Sequence, residues 1–490
     1  MADSKTINDA IENIVRRYKQ ISRGFVRRIV EQIKKIGELS PSRMHDLIVM
    51  RDMNMDIAEI TREIAEATQK SVPEILQIFQ QALLETYADP RFRDVLSQKP
   101  LAESDKQKLS GLARRIAVQT IQRMYNYANT TAVSDDYRSI VDEEILKVSS
   151  GISDYNSAVQ EVIREFGGNG LRVEFASGYH RRLDSAVRMS IIDGTREIYR
   201  QASLEMGQIY GEDYDAIELS AHAMSAPDHE PIQGRVFLLE EWEKMQNHLP
   251  FKDINGRSYK AMKRSIGIWN CKHFPMAFST KYNKPRYTEE QLQKFITDNH
   301  RGCYINGKYY TLYEASQLMR RYETKIRRQK DIAVSAQDAG DDQLREECQA
   351  RINKLSKQYQ DIAKQAGLKP QMSRTSVEGF KATKALKNAA GKDIIPVKRT
   401  EVQTDPNSIT QVTNKKGGID RNFYGGDGKQ TKQISNHDHG HAKEAKMGNH
   451  GEHAHDYYWD ENGKLTRGEA RELTDQERIE NADFLKDKTD

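Results

Sequence analysis

Residues Ser220–Phe237, SAHAMSAPDHEPIQGRVF, place two histidines, an acid beside one of them, two prolines and a Gln-Gly pair in eighteen residues. That density of turn-forming and titratable side chains describes an irregular loop held in one conformation, not core filler. Loops of this kind carry function on a rigid scaffold. A second short piece, Asn270-Cys271-Lys272-His273, reads as its partner. His222 and His229 are separated by the turn at Pro227, Asp228 adjoins His229, and Gln233-Gly234 closes the loop before a strand. On extended chain, residues i and i+2 point to one side, so Cys271 and His273 can share a ligand. With His222 or His229 they make a donor set for tetrahedral zinc. The same residues also suit a hydrogen-bonded polar core that locks loop to strand, and Cys271 with a histidine is the residue pair of a nucleophilic site. No CxxC pair or His-Glu-x-x-His is present, so the polar core ranks ahead of the metal site.

Working outward, Asp215–Leu219 reads as the strand that delivers the chain into this loop, and Gly234–Leu238 as the one that leaves it. Short strands and turns follow to about Leu312, after a strand at Leu171–Phe175 and a helix over Ser177–Gln208. Residues 171–312 are therefore a compact α+β domain. Before them, apolar positions at helical spacing (Ile7, Ile11, Ile14, Val15, Tyr18, Ile21, Val26) start an all-helical module over residues 1–170. Further helices are predicted over Ser42–Met50, from Asp56, from Pro73, over Asp105–Asn129 and over Tyr137–Phe166. Pro73 suits a first-turn position, and Gly167-Gly168-Asn169-Gly170 reads as a hinge. After the α+β domain, residues 313–368 form a helical hairpin broken at DAGDD, Asp338–Asp342. Residues 369–420, rich in Lys, Thr, Asn and Gly, have the composition of a flexible linker. Residues 421–490 regain aromatics and make a small His-rich module. The fold class is mainly α with a central α+β domain.

Composition excludes several classes. The chain has 490 residues, 37% hydrophobic and 30% charged, with a net charge of +4. This allows two or three domains with long solvated helices. Cys271, Cys303 and Cys348 are too few and too scattered for a disulfide framework. The first twenty residues lack the apolar core of a secretory signal, and no run approaches the roughly 20 apolar residues of a membrane span. A soluble protein made in a cytoplasm is expected.

Two charged clusters lie outside the opening motif. Arg320, Arg321, Lys325, Arg327, Arg328 and Lys330 are the densest cationic stretch and the candidate contact for nucleic acid or an acidic partner. The segment NHDHGHAKEAKMGNHGEHAHDYYWD holds six of the thirteen histidines: His437, His439, His441, His450, His453 and His455. HxHxH and HxxHxH spacings gather imidazoles on one side of extended chain and suit a divalent transition metal such as zinc. A helix capped by Thr474, with Glu477 three residues on, closes the module.

Several of these pieces, in this order, resemble the tailed-bacteriophage minor capsid protein 2 family, related to the Mu F-like head morphogenesis proteins. The resemblance runs over about residues 1–370. It is carried by Ser220-Ala221-His222, Pro227-Asp228-His229, Gln233-Gly234, Asn270-Cys271 with His273, the NCKHFPMAF segment and the TLYEASQLMRRYETKIRRQK helix. Many relatives carry arginine where this chain has Ala226. The resemblance implies a minor structural protein of the virion, assembled in the host cytoplasm. It would contact the portal or the major capsid protein, and packaged double-stranded DNA, and act in head assembly, DNA packaging or ejection. It implies no catalytic activity for the motif residues. Relatives that carry an extra C-terminal domain behind a linker point to an alternative, a virion-packaged effector with a metal-dependent, nuclease-like module at residues 421–490.

Overall fold

The computed structural model describes residues 5–39, 57–88, 100–130, 155–175, 178–210, 214–266, 271, 273–397, 399–414, 417–448 and 450–485, with positions 143 and 147. Its helices are α1 (Lys5–Leu39), α2 (Ile57–Tyr87), α3 (Glu103–Thr130), α4 (Tyr155–Asn169), α5 (Leu183–Ile209), α6 (Leu239–Gln246), α7 (Glu289–Arg301), α8 (Leu312–Ala339), α9 (Asp342–Ala366) and α10 (Asp475–Glu480). The architecture is mainly α with β structure in the centre and at the C-terminal end. The predicted helix over Ser42–Met50 lies outside the described residues, as does most of the first half of the one predicted over Tyr137–Phe166.

The apolar stripe of α1 is buried as its spacing requires, from Ile7 and Ile11 through Tyr18 to Val26. It meets α2 and α5. The two helices predicted to either side of Val72 are one helix, α2, with Pro73 inside it. An interior proline costs about 3 kcal/mol. Ile60 and Ile64 before it, and Ile75, Ile78 and Phe79 after it, are all buried in the same core. At about 1.5–3 kcal/mol per buried side chain, keeping that stripe in register outweighs the proline.

The glycines predicted as a hinge are a helix contact instead. Gly167 and Gly168 belong to α4, which packs on α8. A Cβ at Gly167 would lie 2.7 Å from Ser335 Oγ and 2.9 Å from Ser335 Cβ. Glycine is required there because two backbones approach closely. Only after α4 does the chain turn, at Gly170 with φ +60°.

The predicted helix over Ser177–Gln208 begins later than expected. Its first residues form strand β2 (His180–Arg182), which pairs antiparallel with β1 (Arg172–Glu174). Helix α5 then packs against α1, α2 and α3 on one side and the central sheet on the other. The hydrophobic core is consequently continuous across Gly170, joining Ile14 and Phe79 to Ile198 and Ala277.

In the central sheet, β3 (Ala216–Leu219) lies between β4 (Val236–Leu238) and β7 (Pro275–Phe278), antiparallel to both. Two small ladders accompany it, β5 (Phe251–Lys252) with β6 (Ser258–Tyr259), and β8 (Cys303–Ile305) with β9 (Lys308–Tyr310). Helices α6 and α7 were not expected from the sequence. Helix α7 carries a legible start signal, since Thr288 and Gln291 form a capping box. The hairpin of α8 and α9 follows the predicted break at DAGDD, with Gly340 at φ +73° as the left-handed residue.

Residues 369–420 were expected to be a flexible linker, yet they supply β10 (Ile395–Pro396) and β11 (Ile409–Thr413). These open a sheet whose order among the described residues is β10-β11-β12-β13-β14-β15, with β12 (Ile419–Tyr424), β13 (Gln430–Ser435), β14 (His453–Trp459) and β15 (Leu465–Arg467). The segment has few large apolar residues, but Ile394, Ile395 and Ile409 are buried. Its backbone is also tied down, with Ala389 N–H donating to Asp483 at 2.8 Å and Thr383 N–H to Gln349 at 3.1 Å. Low apolar content therefore did not mean disorder. Among the described residues, no helix is long and apolar enough to cross a membrane.

Candidate functional site

The loop between β3 and β4 and the segment leading into β7 are brought together by the central sheet, because β3 pairs with both neighbours. The junction is fastened by Ser220, whose N–H donates to the Phe274 carbonyl at 2.9 Å and whose Oγ accepts from Phe274 N–H at 2.8 Å. Within the loop, His229 and Glu230 N–H both donate to the Ala226 carbonyl, which makes the turn after Pro227. Gln233 Oε1 accepts from His222 N–H at 3.0 Å and clamps the two ends of the loop. Gly234 has φ +68°, and a Cβ there would collide with Leu292 of α7, so both conformation and space call for glycine.

This scaffold gathers the ring nitrogens and the sulfur. Cys271 Sγ lies 3.4 Å from His229 Nδ1 and 3.5 Å from His273 Nδ1. The three donor atoms lie within 4.8 Å of one another, and all three residues are buried. His222 stacks on His273 with ring centroids 4.5 Å apart. His229 Nε2 is 3.2 Å from the Arg264 carbonyl. A carbonyl only accepts, so Nε2 carries the proton and Nδ1 turns its lone pair to the sulfur. Ser225 Oγ stands 3.3 Å from His273 Nε2. Asp228 is not one of the three gathered donors, but its Oδ2 stands 3.6 Å from His229 Nε2. It takes a two-pronged ion pair from Arg264, at 3.1 and 3.0 Å, and so fixes the residue whose carbonyl orients His229. Asn270 lies outside the described residues.

Burial favours the neutral form of His229 and His273. Desolvation first, then repulsion from His222 and His229, push His273 down to about 2 from its ordinary 6.5. Burial also lowers His229, with Asp228 opposing the shift. A His-Cys-His triplet is the donor set for a borderline metal such as zinc, and it equally suits a polar core. The Cys271 sulfur is buried, which fits either role better than that of an attacking nucleophile.

The cluster faces a cleft of about 410 Å³ whose other wall comes from α8 and the chain after α9. Arg264, Arg320, Lys369 and Arg374 line it against one acid, Glu323, so the cleft is cationic. Arg264 and Arg374 were not singled out in the sequence, where nothing local distinguishes them from other surface cations.

The cationic stretch on α8 does not form one surface. Arg320 enters the cleft, and Arg327 lines a separate cavity with Arg182, Asp184 and Asp331. Arg328 pairs with Glu165 at 3.1 Å. Lys330 donates to the Thr375 carbonyl at 2.9 Å and lies over the Phe380 ring. Arg321 and Lys325 are exposed. Sequence density of charge says nothing about which helix face each residue takes, and α8 is covered by α1, α4 and α9.

Four of the six C-terminal histidines gather around two acids, and His439 takes part in both groups. His437 and His439 stand beside Asp420, at 3.3 and 3.4 Å from its Oδ1. His453 and His455 lie side by side on β14, facing Glu444. His441 and His450 are exposed and belong to neither group. Asp420 and Glu444 were missed in the sequence, because nothing local marks an acid that the sheet brings to a histidine.

Residues 2–364 match the sequence model of the family described as phage minor capsid protein 2. A structural protein of Lactococcus phage LL-H is 21% identical over 331 residues, which cover 65% of this chain and 83% of that protein. No solved structure matches the chain.

Proposed function

Because the chain belongs to the phage minor capsid protein 2 family, we propose that it is a minor structural protein of a tailed-phage head, built in near the portal and acting in head morphogenesis, DNA packaging or ejection. The family match over residues 2–364 carries this reading. That span holds the helical module, the central sheet with its partly buried loop, and nearly all of the α8–α9 hairpin. The site chemistry agrees with a structural role. His222, His229, Cys271 and His273 fasten the β3–β4 loop to β7, with Asp228, Gln233 and Gly234 setting the loop's shape. The clasp fixes the shape of the surface that meets the portal or major capsid protein.

The packaging part of the proposal assigns contact with double-stranded DNA to Arg321 and Lys325, the exposed cations of α8. Purified procapsids and virions, analysed by cross-linking mass spectrometry, test the placement. Cross-links from this chain to the portal are expected in both particles. Cross-links confined to tail proteins would refute it. For DNA, retardation by the full chain should weaken with rising salt and with Arg321→Ala/Lys325→Ala. A salt-independent shift, or none, removes that part.

A further inference from the structure

His453 and His455 occupy alternate positions of β14, so their side chains share one face. Each ring spends Nδ1 on a backbone carbonyl. His453 Nδ1 donates to Gly451 at 2.8 Å, and His455 Nδ1 to Gly468 at 2.9 Å. A carbonyl cannot donate, so the proton of each neutral ring sits on Nδ1 and each Nε2 presents a bare lone pair. Both Nε2 atoms face the Glu444 carboxylate, His453 at 3.6 Å and His455 at 3.7 Å. Those distances are too long for hydrogen bonds. Neither Nε2, nor Glu444 Oε2, has a hydrogen-bond partner within the protein, although His453, His455 and Glu444 are 0%, 4% and 9% exposed.

Buried lone pairs turned toward a buried carboxylate repel one another, and buried polar atoms are normally satisfied. An imidazolium–carboxylate pair would draw the atoms together to about 2.8 Å. A cation between them removes the conflict with the atoms where they are. Ligands held tetrahedrally at about 2.0–2.2 Å from zinc stand roughly 3.3–3.6 Å from each other. The His453 Nε2–Glu444 Oε2 separation of 3.6 Å matches that, and His455 Nε2 faces the other oxygen, Oε1, at 3.7 Å. His439 faces the same point. A donor atom of His439, one of Glu444 and one of His453 all lie within 4.8 Å of one another. Its backbone is in the left-handed region at φ +50°, a conformation that a non-glycine residue adopts at a cost.

We propose that the C-terminal module binds a divalent transition-metal ion of zinc type through His453 Nε2, the Glu444 carboxylate and His439, with His455 Nε2 beside the second carboxylate oxygen. The mixed nitrogen and oxygen donors select zinc-like ions over magnesium or calcium. The carbonyls of Gly451 and Gly468 act as outer-shell partners that fix the tautomers. The ion ties the short helical turn at Glu444–Lys446 to β14, so it stabilises the fold of this module. This holds whatever the module does in the virion, and it is separate from the Cys271 cluster.

The test uses the full chain, stripped with chelator, reloaded with zinc, desalted and analysed for bound metal, with thermal unfolding measured in parallel. Glu444→Gln keeps the shape of the side chain and should lose about one zinc per chain, as should His439→Ala. His441→Ala/His450→Ala removes exposed histidines of the same tract and should keep that zinc, as should Cys271→Ser. Zinc should raise the unfolding temperature of the wild type and of both controls, but not of Glu444→Gln. Cobalt loading should give visible bands of four-coordinate geometry that vanish in Glu444→Gln. The proposal is overturned if the wild type retains no zinc, if Glu444→Gln and His439→Ala retain as much as the wild type, or if the His441→Ala/His450→Ala variant loses as much as they do.

Discussion

Replacing Gly167 with alanine separates two accounts of the Gly167–Gly170 run by the sign of a stability change. At a hinge or an open helix position, alanine stabilises by up to about 1 kcal/mol, through helix propensity and a less flexible unfolded chain. In the structure, the new methyl would meet Ser335 Oγ at 2.7 Å and Ser335 Cβ at 2.9 Å, with the Ile332 backbone at 3.4 Å. Ser335 Cβ is fixed to the α8 backbone, so relief requires α4 and α8 to move apart. Overpacking of this kind costs about 1–3 kcal/mol. After the propensity gain of up to about 1 kcal/mol, a net loss of about 1 kcal/mol remains. Gly24→Ala is the internal control. Gly24 lies inside α1 with nothing within 4 Å of its added Cβ, so there the same substitution should stabilise. The assay is urea unfolding followed by helical circular dichroism, comparing midpoints of the transition that reports the N-terminal helices. In a thermal scan, 1 kcal/mol corresponds to about 2–4 °C for a unit of 150–250 residues. Gly167→Ala as stable as the wild type, alongside a stabilised Gly24→Ala, would refute the close-packing argument.

Three further outcomes follow from particular contacts. His273 is pushed down to about 2 in the folded chain against an ordinary 6.5, so the folded state holds fewer protons than the unfolded one between those values. Its neutral form is at no disadvantage above pH 6.5, and stability is lost as pH falls below it, by about 1.4 kcal/mol per unit or about 2 kcal/mol by pH 5. Urea midpoints at pH 7 and pH 5 should show the drop, and His273→Gln should flatten it; a wild type equally stable at both would contradict the buried neutral ring. Thr288→Ala removes the α7 capping box, in which Thr288 Oγ accepts from Gln291 N–H at 3.2 Å, and should cost about 1 kcal/mol by the same assay. Arg421 is 1% exposed and bonds Asp483, Asn481 and Gln411, so Arg421→Met strands several polar groups and should cost about 3 kcal/mol. Limited proteolysis should then cut within residues 421–485 before the rest of the chain; an unchanged cleavage pattern would show that this network does not hold the module together.

What could be read from the sequence was governed by range. The α1 stripe, the α8–α9 break and the capped α10 depend on neighbours within one or two turns, and they stand where the periodicity and caps put them. The opening loop was legible for the same reason, since its turn residues and histidines are close in the chain. Three features were not legible. Pro73 reads locally as a helix start, and only the shared core on both sides shows why α2 continues. Gly167 and Gly168 read as freedom, although their purpose is an approach by α8 more than 150 residues away. The stretch before β12 reads as linker, because its order comes from strand pairing and from partners such as Gln349 and Asp483. For the site itself, sequence brought Cys271 and His273 to one side of a strand. Their meeting with His229, the orienting carbonyl of Arg264 and the cationic cleft opposite are products of tertiary structure. At the C-terminus, the histidine tract was visible, but the acid that turns two of its rings into a ligand set was not.

The central claim is that this chain is a minor structural component of a tailed-phage head, and quantitative mass spectrometry of purified procapsids and mature virions tests it most directly. The account predicts the chain in both particles, at a low and constant ratio to the portal protein. Its absence from both particles, with the protein found only in the infected-cell lysate, would contradict the account.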